Sequence, residues 1–120
     1  MNSLNSILIE GNLVRDPILA TTPKGTEVCN FSIASDRFYK VNGDEDYTKE
    51  VSFFDVEAWA KLAARAAELT KGRSIRVVGR LRQDRWTDDQ GQAHARVKIV
   101  AEHIEIRPSY AKPPVESAEA

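Results

Sequence analysis

With 120 residues and 13.4 kDa, the chain has room for one domain and little more. Its composition, 42% hydrophobic and 29% charged, is that of an ordinary soluble globular domain able to bury a core without cross-links, and its single cysteine excludes an intrachain disulfide. Seventeen Lys and Arg against eighteen Asp and Glu leave a formal net charge of −1, which as a total speaks against a strongly basic surface.

Period-two alternation dominates from the start. Residues 6–14 read as a first strand, with Ile7, Ile9 and Leu13 in phase and Leu8 and Val14 making the other face partly apolar. Asp16-Pro17 and Thr22-Pro23-Lys24-Gly25 mark turns. A second strand over 27–38 places Cys29, Phe31 and Ile33 on one face and Asn30, Ser32 and Asp36 on the other. Asn42-Gly43, followed by Asp44-Glu45-Asp46, signals a hairpin or loop. The third strand, 51–58, has Phe54 and Val56 on its apolar side, opposite Asp55 and Glu57. A helix over 59–70 follows, rich in alanine, with Leu62, Ala66 and Leu69 as an inward stripe and Gly72 suited to a left-handed cap. The fourth strand, 74–86, turns Ile75, Val77 and Leu81 inward, and residues 88–92 reverse the chain. The fifth, 94–106, has Ala95, Val97, Ile99 and Ala101 inward; its phase flips at Ile104 and Ile106, which predicts a bulge or a break.

Pro108, Pro113 and Pro114 among Glu, Ser and Ala give the expectation of a short disordered tail over 108–120, behind one domain at 1–107. Three strands, a helix and two strands are the element order of an all-β, five-stranded Greek-key barrel of the OB type, the helix lying between the third and fourth strands. A sandwich with one added helix fits that order less well. No apolar run is long enough to span a bilayer, and Met1-Asn2-Ser3-Leu4-Asn5 lacks the basic segment of a secretion signal, so the expected setting is intracellular.

The charge is segregated. Residues 1–64 carry six basic and ten acidic side chains, residues 65–107 ten basic and six acidic, and the tail Lys112 against Glu116 and Glu119. Within 71–85, Lys71, Arg73, Arg76, Arg80, Arg82 and Arg85 face Asp84 alone. Such a run is either a partner-binding patch or a solvated strand face with balancing acids nearby in space.

Four aromatic rings lie in polar phase. Phe38 alternates with Asn30, Ser32 and Asp36; Phe53 with Asp55 and Glu57; Trp59 continues the phase of Phe53; Trp86 shares its phase with Arg76, Arg80, Arg82 and Asp84. Taken singly, an outward ring packs on a neighbour or a subunit. Taken together and interleaved with arginines, the four rings supply what single-stranded nucleic acid requires, π-faces for bases and cations for the phosphates between them.

The ordered set Gly11-Asn12-Leu13, Asp16-Pro17, Phe31-Ser32-Ile33-Ala34-Ser35, Trp59-Ala60-Lys61-Leu62-Ala63, Lys71-Gly72, Val77-Val78-Gly79-Arg80-Leu81-Arg82, Arg85-Trp86-Thr87-Asp88 and Gly91-Gln92 resembles the bacterial single-stranded DNA-binding protein family over residues 6–107. The resemblance implies an OB barrel, a homotetramer (a dimer being the other arrangement open), and a non-catalytic, cytoplasmic, nucleoid-associated protein. Such a protein coats single-stranded DNA in replication, recombination and repair without a cofactor. It implies stacking by Phe38, Phe53, Trp59 and Trp86, with Lys61, Lys71 and Arg85 as basic contacts; Arg76, Arg80 and Arg82 are added from charge and phase. Family members carry a long tail with an acidic tip that recruits replication and repair proteins. The ending Glu116-Ser117-Ala118-Glu119-Ala120 has no such tip, which puts those partners in doubt.

Two other classes are open to the same residues. An enzyme would need metal ligands, but Asp44, Glu45 and Asp46 are consecutive in a loop, His94 and His103 lack partners at metal spacing, and Cys29 is in core phase without a paired His. An OB adaptor for protein or RNA contacts, of the primosomal kind, would use Trp86 and Phe53 as interface residues instead.

Overall fold

The computed structural model describes residues 1–108, so the predicted tail, Pro108 apart, lies outside the described residues. The described residues form six strands and one helix: β1 (Ile7–Leu13), β2 (Ile18–Thr21), β3 (Glu27–Tyr39), β4 (Thr48–Trp59), α1 (Lys61–Ala66), β5 (Ser74–Thr87) and β6 (Ala93–Ile106). They form one sheet in the order β1-β5-β6-β4-β3-β2. Beyond its ladder with β5, β1 also pairs with β3 through Asn12↔Ala34 and Leu13↔Ile33, which closes five strands into a barrel. The predicted OB-type Greek key is the fold. Its one parallel contact, β4 on β6 through Val56↔Ile99 and Glu57↔Val100, is reached through α1 and β5, because parallel neighbours need a crossover.

The inward phases converge on one core: Leu13, Cys29, Phe31, Ile33, Val56, Ala58, Ile75, Val77, Ile99, Ala101 and Ile104, with Ala63, Ala66 and Leu69 plugging one end. The predicted irregularity in the last strand is a bulge. Pairing passes from Val78↔His103 to Gly79↔Ala101, leaving Glu102 as the extra residue, so Ala101 and Ile104 both point inward. Gly79 is required there, since a Cβ would overlap the Val100 carbonyl oxygen, and a Cβ on Gly11 would lie 2.7 Å from the Ala34 oxygen at the barrel's closure.

Several expectations need correction. The segment between the first two predicted turns is itself a strand: β2 flanks β3 from Ile18↔Asn30 to Thr21↔Glu27, outside the closed barrel. The helix is shorter than 59–70. Trp59 still pairs with Val28 in β4, Ala60 breaks the strand at φ 55, and after Ala66 the bonds tighten to Glu68 N–H onto the Arg65 oxygen and Leu69 N–H onto that of Ala66. Gly72 (φ 87) therefore serves the turn into β5 rather than a helix cap. Leu81, Ala95 and Val97 are exposed rather than inward, because β5 and β6 stay paired out to Thr87↔Ala93, past the barrel wall, as a two-stranded arm. Phe54 keeps its inward phase but lies at the barrel's rim and is exposed.

Candidate nucleic-acid interface

Strand alternation places Phe53, Asp55, Glu57 and Trp59 on the outer face of β4, opposite Ala34, Ser32, Asn30 and Val28 of β3. Phe38 faces the same side from the far end of the ribbon, opposite Lys49. At about 3.3 Å per residue, Phe53 stands some 20 Å from Trp59, and Phe38 about 13 Å beyond Phe53. The rings are open: Phe38 is 60% exposed, Phe53 67% and Trp86 48%, while Trp59 is half-buried. Phe38, Phe53 and Trp59 thus form one line along the barrel.

Trp86 belongs to the β5–β6 arm. Its cross-strand partner is His94, and the two rings stack at 5.4 Å between centroids and 17° between planes. His94 Nε2 lies 2.8 Å from an Asp88 oxygen, and that contact, with backbone N–H groups of Gln92 and Gln90, holds the Asp88 carboxyl below its ordinary pKa. The 88–92 turn predicted from sequence therefore also fixes the ring that backs Trp86, Asp88 accepting from the Gln90 and Gln92 N–H groups at 2.9 Å each.

Between Trp59 and Trp86 lies a charged patch. Glu57 accepts the Trp59 indole N–H at 3.0 Å and pairs with Arg82 at 2.5 Å and Lys98 at 3.4 Å. Asp84 bridges the same two cations, at 3.1 Å to Arg82 and 3.0 Å to Lys98. The Lys98 hydrogen bond, then that of Arg82, lowers the Asp84 pKa, and Asp84 in turn raises that of Lys98. Beside them, Asp55 accepts the Ser32 hydroxyl at 2.7 Å and pairs with Arg96; those two contacts, in that order, hold its carboxyl low. Three cations meet three carboxylates, so the middle of the interface is electrically balanced.

This pairing redraws the predicted cation set. Arg76 is bound by Glu10 and by Glu105 at 3.5 Å, on the β1 side of the barrel, and lies six residues of strand away from Arg82. Its hydrogen bond lowers the Glu10 pKa, and Glu10 raises that of Arg76. Arg80 pairs with Glu102 at 3.5 Å. For Arg76, Arg80 and Arg82, balancing acids nearby in space are therefore what the fold supplies. Lys61, Lys71 and Arg85 make no ion pair among the described residues. Lys61 follows the Trp59-Ala60 step at the start of α1, and Lys71 is tied by its N–H to Asp16 at 2.8 Å. Arg85 bonds Gln83 at 2.7 Å on the arm face opposite Trp86.

Asp16 and Arg15 also line a cleft of about 230 Å³ that runs along the outer face past Asn30 and Ser32 to Arg96 and Lys98. Arg15, Arg96 and Lys98 were outside the predicted set. The alternation that turned Ala95 and Val97 to one side already put Arg96 and Lys98 on the other, whereas Arg15 sits in a turn, where phase carries no information. At the ribbon's far end, Arg37 lies over the Tyr39 ring at 4.9 Å and Lys40 over Tyr47 at 5.1 Å, two further ring–cation pairs beside Phe38.

Comparison with known proteins gives matches along nearly the whole described chain. The model of the "Single-strand binding protein family" matches residues 4–107. A single-stranded DNA-binding protein of Aquifex aeolicus is 38% identical over 104 residues, 86% of this chain and 69% of that protein. One from Thermus aquaticus is 37% identical over 103 residues, and this chain spans 38% of its length. Among solved structures, a Plasmodium falciparum SSB complex with ssDNA superposes with a TM-score of 0.78 at 19% identity, covering 90% of this chain and 98% of that one, a likeness of fold.

Proposed function

The chain belongs to the single-strand binding protein family, and from that premise we propose that it binds and coats single-stranded DNA by stacking bases on Phe38, Phe53, Trp59 and Trp86, without strong sequence preference and without bond chemistry. The observation that carries this reading is the line of outward rings on the β3–β4 ribbon, continued by Trp86 on the arm. Apolar rings are costly to leave in water, and a row of them with flanking cations fits the alternating bases and phosphates of an extended strand. Lys61, Lys71 and Arg85 serve the phosphates, with Arg15 at the cleft; Arg76, Arg80, Arg82 and Arg96 act mainly within ion pairs.

Residues 1–107 form the binding domain in this reading, and the protein works as a homotetramer in the cytoplasm, on DNA unwound for replication, recombination and repair. Fluorescence titration tests the core of it. Oligo-dT at low salt is expected to quench tryptophan emission with near-stoichiometric onset, and duplex of equal length is expected to quench far less. Absence of quenching by oligo-dT refutes strand stacking. Sedimentation with and without oligo-dT tests the tetramer.

A further inference from the structure

Among the described residues Glu57 is the one charged side chain that is buried, at 3% exposure, and stacking alone gives it no part. A carboxylate shut away from water must have its charge and lone pairs met by donors. Here they are met by Trp59 Nε1 (3.0 Å) and Arg82 (2.5 Å) on one oxygen and by Lys98 (3.4 Å) on the other. The two-residue spacing on β4 puts Glu57 and Trp59 on one face, so the indole edge is drawn onto the carboxylate and the ring cannot turn freely. Arg82 and Lys98 each hold a second carboxylate, Asp84, which is only partly buried. Both cations therefore lie between the two tryptophans with their partners already in place.

We propose that Glu57 is a positioning residue for strand binding: it orients the Trp59 ring and, together with Asp84, stands where phosphate would otherwise sit, withholding Arg82 and Lys98 from the DNA backbone. The proposal rests on the reading of this face as a single-strand site. It separates two roles that substitution can split. Glu57→Gln keeps an oxygen for the indole N–H but drops the charge that holds the two cations. Glu57→Leu drops both.

The test uses the full chain in a Trp86→Phe background, which leaves Trp59 as the only tryptophan. Emission and iodide accessibility of Trp59 are read in the free protein, and oligo-dT titrations are run across salt concentration. E57Q is expected to keep the parent's Trp59 emission and to steepen the log affinity–log salt slope by about 0.7, one net cation freed, since Asp84 still pairs with Arg82 and Lys98. E57L is expected to show the same steepening with altered Trp59 emission and a smaller quench. Asp84→Asn carries the electrostatic half independently of the buried site should E57L fail to melt cooperatively, and Glu102→Gln, which releases Arg80 away from Trp59, is expected to leave Trp59 emission unchanged. Unchanged salt slopes in both E57Q and D84N overturn the withholding role. Trp59 emission in folded E57L identical to that of E57Q overturns the orienting role. If the parent shows no oligo-dT quenching, the binding reading itself falls, while the free-protein comparison still decides whether Glu57 holds the indole.

Discussion

Replacing Phe53 with alanine should separate strand binding from folding. The ring is 67% exposed, so the protein itself covers about a third of it. Full burial of a phenylalanine contributes about 1.5–3 kcal/mol, and a third of that is about 0.5–1 kcal/mol of stability. At about 4–8 °C per kcal/mol, the midpoint of thermal unfolding should fall by about 2–8 °C. A stacked base is worth about 1–3 kcal/mol by alanine substitution, which is a loss of about 5- to 150-fold in affinity for oligo-dT. The contrast is Phe31→Ala: Phe31 is buried at 5% exposure, and its truncation should cost about 3–5 kcal/mol of stability through lost burial and the cavity left behind. The assays are denaturant unfolding for stability and tryptophan-quenching titration with oligo-dT for affinity. Phe53→Ala with unchanged affinity would refute the stacking line on β4; a stability loss matching that of Phe31→Ala would refute the outward placement of the ring.

Arg85→Ala should reduce the magnitude of the salt slope by about 0.7, one phosphate contact, whereas Arg76→Ala should leave the slope in place and lower stability instead; parallel titrations at several salt concentrations distinguish them. Gly79→Ala should destabilise by about 1–3 kcal/mol in denaturant melts, because the added methyl meets the Val100 carbonyl across the bulge. Acid should weaken the fold. Asp55, Asp84, Asp88 and Glu10 have pKa values lowered by their hydrogen-bond partners, so below the ordinary carboxylate range the unfolded chain takes up protons that the folded one refuses. Their contribution is whole above about pH 4–5 and is lost as pH falls through the lowered values, which thermal melts between pH 6 and pH 3 would follow. A melting temperature that rises on acidification over this range would contradict the ion pairs described.

How much was legible in the sequence differs from residue to residue. The outward phase of Phe38, Phe53 and Trp86 follows from alternation, and so do the inward positions of Cys29, Phe31 and Ile33, because side-chain direction in a strand has period two whatever lies around it. The phase flip near Ile104 marked the bulge for the same reason, and Gly91 with Asp88 marked the arm's turn through local hydrogen bonds. Alternation does not say where a strand leaves the barrel. Leu81 and Val97 continue an inward pattern past the wall and come out exposed, and Phe54 reaches the rim. Nor does it register β2, a strand exposed along its whole length that exists only because β3 offers it an edge.

Charge shows the division most clearly. The sequence alone determined that residues 65–107 carry an excess of basic side chains and that the rings lie among them, because composition and phase are properties of the chain itself. Whether those cations are free depended on partners far along the chain: Glu10 meets Arg76 from 66 residues away, Glu57 lies on β4 against Arg82 of β5, and Asp55 pairs with Arg96 from 41 residues away. Coulomb attraction acts through space and is settled only when the barrel closes. What closure decided was that the middle of this face is neutral, that Glu57 is buried with the Trp59 indole N–H on its carboxylate, and that Lys61, Lys71 and Arg85, the phosphate contacts of the proposed reading, stand outside the described ion pairs.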